Sequence, residues 1–167
     1  MIRLDVALIL ALALPCVAAS LYDAKRTSAP QYAAIPVTLG TTAQVRTVLA
    51  LVIDDVRAGD VIAAHAYQQH RNDLGYNVEL ASWLELRETS TGTDPMGGIE
   101  RSQPAGPNVI PTAHYGRGDA AWLFLPQRAY PRLFLCYRAR ARSTGAKPGH
   151  ALVVSQGQGV LFYERFR

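Results

Sequence analysis

Cysteine is almost missing from this chain: its 167 residues hold two, Cys16 and Cys136. Cys16 lies inside an N-terminal apolar run, so removal of that run leaves one thiol and no intramolecular disulfide. The fold must then rest on its core. Lysine is as scarce, at Lys25 and Lys147 against fifteen arginines. No second apolar stretch is long enough to span a bilayer. There is no Asn-x-Ser/Thr acceptor, because Asn72, Asn77 and Asn108 all lack the hydroxyl residue. No His-x-His, His-Glu-x-x-His or Cys-x-x-Cys spacing exists to mark a zinc centre. No Gly-x-Ser-x-Gly elbow exists to carry a nucleophilic serine. The net charge of +4 is spread along the chain rather than gathered in one tract, which argues against nucleic acid as a partner.

What is present begins at the N-terminus. Met1 and Arg3 precede an apolar run from Val6 to Ala19, which closes on Val17-Ala18-Ala19-Ser20. A charged tip, a hydrophobic core and small residues at the end have the form of a secretory signal cleaved after Ala19. The run is shorter than the roughly 18 to 20 residues of a membrane span. Pro15 before Cys16 speaks against lipidation of that cysteine. The expected organisation is a signal peptide at 1–19, an extended lead-in at 20–41 and a single β-domain at 42–167. The expected location is secreted, periplasmic or at the cell surface, with no membrane span after cleavage.

The remainder is punctuated by glycine and proline and reads as short strands. β-Branched and aliphatic residues fill Val45–Val56 and Val61–Tyr67, on either side of the turn Arg57-Ala58-Gly59-Asp60. The clearest alternation follows. Val78, Leu80, Ser82, Leu84 and Leu86 share one face; Asn77, Glu79, Ala81, Trp83, Glu85 and Arg87 share the other, the pattern of a half-buried strand. Residues 88–108 read as a long surface loop with a short strand at Ile99–Ser102. Further strands are expected at Ile35–Leu39, Val109–His114, Ala120–Leu125, Leu133–Arg142, Ala151–Ser155 and Val160–Phe166. Gln156-Gly157-Gln158-Gly159 reads as a tight hairpin between the last two. About eight short strands and no convincing helix predict an all-β, two-sheet antiparallel β-sandwich of jelly-roll type. An outer-membrane barrel fits less well, since the strands lack an outward apolar band with aromatic girdles.

Candidate chemistry is sparse. Arg138, Arg140 and Arg142 alternate with alanines, which puts three guanidinium groups on one strand face. Such a face suits an acidic glycan or other cell-surface polymer, unless acidic neighbours such as Glu79 or Glu85 already occupy it. Trp83, standing among polar outward residues, would add a stacking platform for a sugar. Cys136, flanked by Leu135 and Tyr137, reads as a buried thiol. His70, Asp73 and His114 lie at strand ends and loops, where they form a weak candidate metal site. Asp54, Asp55 and Asp60 around one turn offer oxygens for calcium, or else hydrogen bonds within the turn itself. Glu79 and Glu85 are roughly 20 Å apart along one strand and cannot be a glycosidase pair. No cofactor is implied. The leading expectation is an exported, non-catalytic β-sandwich that binds a glycan or other polyanion. The alternatives are an enzyme of polysaccharide or cell-wall turnover, with His70, Asp73, Glu100 and His114 near its site, and a structural protein of an envelope or virion surface.

Overall fold

Long-range pairing between the two ends of the chain sets the architecture. The computed structural model describes residues 22–27, 34–38, 45–91, 98–143 and 151–167, and the expected signal segment lies outside these. Ten strands form, and no helix, among the described residues: β1 (Tyr22–Thr27), β2 (Ala34–Thr38), β3 (Val45–Val56), β4 (Val61–Arg71), β5 (Val78–Arg87), β6 (Glu100–Arg101), β7 (Ala105–Ile110), β8 (Tyr115–Phe124), β9 (Tyr130–Ser143) and β10 (Ala151–Phe166). One sheet runs β1–β10–β4–β8, with Tyr22 opposite Phe166, Tyr67 opposite Val160 and Ala66 opposite Ala120. The other runs β3–β9–β5–β7, with Leu51 opposite Leu135, Leu84 opposite Tyr137 and Val78 opposite Ile110. These two four-strand orders are those of a jelly roll, two Greek keys folded face to face. Two short strands supplement them. β6 adds to the β5 edge at Leu86 and Glu85, while β2 pairs antiparallel with β10 and parallel with β9, joining the sheets at one corner.

The core is the space between the sheets. Leu49, Ile53, Leu80, Leu84, Leu86, Leu133 and Leu135 fill it from one sheet; Ile62, Ala64, Ala66, Phe124, Leu161 and Tyr163 fill it from the other. Burying each large side chain contributes about 1.5–3 kcal/mol, and alternation along the strands aims them all inward. The expected turn after β3 forms as read. Asp60 Oδ2 accepts the Arg57 N–H at 3.0 Å, and Gly59 takes the left-handed backbone (φ 85°) that the turn demands.

Three expectations need correction. Gln156–Gly159 is not a hairpin: β10 continues through it, because both halves pair antiparallel with the same strand β4, and the extra residues are absorbed as a register shift between Val154 and Gly159. β8 starts at Tyr115 rather than Ala120, since Gly116 and Gly118 are needed where that strand crosses the side chains of Ile110 and Tyr137. β7 ends at Ile110, where Pro111 and the left-handed Ala113 (φ 61°) turn the chain toward β8 instead of extending it to His114.

Candidate functional site

The arginine row lies on the outer face of β9, as its alternation requires, with Ala139 and Ala141 wholly in the core. The three arginines nevertheless have different fates. Arg138 is fully buried; its Nε lies 3.3 Å from Glu85 Oε2, and its Nη1 donates to Thr47 Oγ1 at 3.0 Å. Arg142 is exposed and its Nε donates to Glu79 Oε2 at 2.7 Å. Arg140 alone of the three is exposed with no acidic partner among the described residues.

Burial at Arg138 reflects a polar cluster that the alternation of β5 concealed. Arg87 Nη1 also reaches Glu85 Oε2, at 3.1 Å, so one carboxylate sits between two guanidinium groups. The backbone of Ile99 and Ser102 bonds to Leu86 and Leu84, while the Ser102 hydroxyl accepts from Leu84 N. Gly98 packs against the Glu85 side chain so closely that a Cβ there would collide with the carboxylate. Trp83, opposite Arg138 in the ladder, is therefore 3% exposed and offers no stacking platform. Cys136 faces the same cluster opposite Glu85. Burial pushes its thiol up to about 12 against the pull of Arg138 and Arg87, which leaves it inert at neutral pH.

The candidate metal ligands do not converge. His70 points into the core and is wholly buried, while Asp73 is exposed and accepts from Arg71 Nε at 2.5 Å. His114 is exposed, its Nδ1 2.7 Å from the Thr112 carbonyl. Among the described residues no three His, Cys, Asp or Glu side chains are grouped to hold a metal. The aspartates around the first turn are occupied by arginine. Arg132 Nε bonds Asp54 at 2.8 Å, Arg57 Nη2 bonds Asp55 at 3.1 Å, and Arg167 Nε lies 3.5 Å from Asp60. The Arg57 hydrogen bond holds the Asp55 carboxyl below its ordinary value. Glu100 accepts from Leu125 N at one end of β8, whereas His70 sits opposite Gly116 at the other, so the catalytic grouping of Glu100 with His70 does not form.

A further unassigned feature is the outer face of the β1–β10–β4–β8 sheet. Ladder register puts Phe162, His65 and Ala121 in one row and Glu164, Ala63 and Leu123 in the next. A shallow, open depression of about 570 Å³ lies there, lined by Ala63, His65, Ala121, Trp122, Leu123 and Phe162, with the Glu164 carboxylate at its lining as well. His65 meets Phe162 edge to face at 5.3 Å between ring centres. Leu123 is 59% exposed and Leu125 49%, with Phe166 exposed on the same side. Such a cluster of large apolar groups at the surface is the usual mark of a contact surface. Nothing in the sequence pattern announced it, because Val61, Ala63 and His65 read as ordinary members of an apolar strand.

No family model matches this chain, and no curated protein matches it. Its fold does match solved structures, 27 chains in all. One is infectious bursal disease virus, Gx strain, with TM-score 0.59 and 11% identity, covering 86% of this chain and 33% of that one. Another is a mutant VP2 protein of that virus in derived T=1 particles, with TM-score 0.60 and 11% identity over 86% of this chain and 31% of that one. A third is the VP2 subviral particle, with TM-score 0.53 and 12% identity over 87% and 37%. What is shared is the fold. The chain spans about a third of the length of those virus proteins.

Proposed function

We propose that this protein is a non-catalytic, structural jelly-roll subunit that associates with further copies of itself through the outer face of the β1–β10–β4–β8 sheet. The observation that carries this reading is the outward apolar surface of exposed Leu123 and Ala121 with half-buried Phe162 and Ala63 beside them. The second copy is favoured as its occupant because the solved structures that share the fold are described as virus and subviral particles, assemblies of repeated chains. The signal-like N-terminus supports a site of action outside the cytosol, as an envelope or virion surface component. The acidic-polymer reading has less support: Arg138 is buried on Glu85 and Arg142 is engaged by Glu79, leaving Arg140 as its principal free cation.

Light scattering on the unmodified chain and on Phe162→Glu and Leu123→Glu tests this. The expected result is a concentration-dependent oligomer that either substitution reduces to monomer, because a carboxylate buried in an apolar contact must be desolvated. A monomer at every concentration, combined with salt-sensitive binding of an acidic oligosaccharide lost in Arg140→Glu, would replace assembly with the ligand reading.

A further inference from the structure

The inward row of β4 changes character halfway along. Ile62, Ala64 and Ala66 are apolar and buried; Gln68 and His70, next in the same row, and Asn72 just past the strand end are polar and equally buried. The change falls where the β4–β10 ladder breaks, between Gln68 opposite Gly159 and His70 opposite Val154. Asn72 is fully held, donating to Tyr76 O at 2.9 Å and Ile110 O at 2.8 Å and accepting from Leu74 N at 3.0 Å. Gln68 donates to Gln69 O at 3.0 Å. His70 is the member of the row that can gain a charge. Its Nε2 lies 3.5 Å from the Tyr137 hydroxyl, and its Nδ1 has no hydrogen-bond partner among the described residues.

Among the described side chains, the elements packed on His70 meet it with uncharged groups. β8 brings Gly116 and Gly118, β5 brings Ser82, β9 brings Tyr137, and Val154 stands opposite on β10. Burial raises the Tyr137 hydroxyl, which keeps it a neutral phenol. The nearest charges on these strands are turned outward and paired: Arg117 with Asp119, whose charge is felt at the Tyr137 hydroxyl, and Arg71 with Asp73. The His114 imidazole is exposed on its own turn. A proton on His70 would therefore find no carboxylate to balance it among the described residues, in surroundings that penalise an unpaired charge heavily.

We propose that His70 is an acid-sensitive latch: neutral, it lies within the closed polar end of the core, and protonated, it drives that end open, parting β4 and β8 from β5 and β9. Burial holds the imidazole down at about 4, from an ordinary 6.5. The closed state thus resists a proton that the open state accepts, so closure weakens as pH falls from 6.5 toward 4 and is indifferent to this group above 6.5. That difference corresponds to roughly an 80-fold shift toward the open state between pH 6.5 and pH 4. The inference stands apart from self-association.

Backbone hydrogen exchange of the full chain, corrected for the intrinsic pH dependence of exchange, tests it. The expected result is a loss of protection on the order of a hundredfold at Gln68–Asn72 between pH 6.5 and 4, while the β3–β9 ladder stays protected. His70→Leu should abolish that loss, and His65→Gln and His114→Gln should retain it. If His70→Leu does not fold, the ring proton of native His70 serves instead, remaining neutral at pH 5 while its strand exchanges faster. Unchanged protection across the window, an identical loss in a folded His70→Leu, or a His70 ring titrating near 6.5 would overturn the latch.

Discussion

At the scale of single residues, the chemistry of this protein is concentrated where water is not. Glu85 sits between Arg87 and Arg138 with all three side chains buried. Such a cluster contributes little net stability, since desolvation offsets attraction, but its parts cannot be removed singly. Glu85→Gln should destabilise the fold by about 3–5 kcal/mol, because it leaves two buried guanidinium groups without their carboxylate. Urea-unfolding midpoints measure this. Replacing Glu85, Arg87 and Arg138 together with apolar residues of similar volume should recover most of the loss, and failure to recover it would mean that the cluster does more than balance charge. Cys136 beside it should stay unmodified by a thiol reagent at pH 8 in the native protein and react at once on unfolding; fast native labelling would contradict a thiol raised to about 12 by burial. These residues also show where the sequence stopped being readable. Alternation placed Trp83, Glu85 and Arg87 on the outward face of β5, and that is the face they occupy. It could not show that Gly98 and the Ile99–Ser102 segment press against that face and edge, because covering is a long-range contact without a local period. The Arg-Ala-Arg-Ala-Arg run declared its facing, and the neighbours weighed for it, Glu79 and Glu85, are the carboxylates that Arg142 and Arg138 meet; what it did not declare is that Arg138 is buried there while Arg140 stays exposed.

At the scale of elements, glycine is the residue that lets the strands pass each other. Gly118 of β8 lies against the Tyr137 hydroxyl, with Ser82 and His70 close by, and a Cβ there would overlap the phenol oxygen. Gly118→Ala should cost about 1–3 kcal/mol by overpacking a rigid buried site; thermal unfolding gives the value, and an unchanged midpoint would show that Tyr137 moves freely. The glycines that misled the sequence reading acted in the same way. The strand expected at Ala120–Leu125 starts earlier, and Gly116 and Gly118 lie within β8, where close approach rather than turning requires them. Gly157 and Gly159 looked like a hairpin, yet one partner strand receives both flanks and the chain continues. Turn chemistry and close packing select the same residue, so glycine alone does not separate them. Where turn chemistry included a specific acceptor, as at Arg57–Asp60, the reading held.

At the scale of the whole molecule, the period-two pattern, the absence of a helix signal and the spacing of turns were enough to reach a two-sheet jelly roll. Strand order was not legible, because pairing β1 with β10 joins residues separated by almost the entire chain. The proposed contact surface was less legible still. An apolar patch is a sum over three strands, Ala63 and His65 from β4, Ala121 and Leu123 from β8 and Phe162 from β10, and it exists only once their register is set. Facing water, that patch is the surface on which the proposed association rests, while most arginines among the described residues are paired with carboxylates. Sedimentation velocity of the unmodified chain over a concentration series tests this most directly. The sedimentation coefficient should rise with concentration and fall back to the monomer value in Leu123→Glu. A single monomer boundary at every concentration, shared by both proteins, would contradict it.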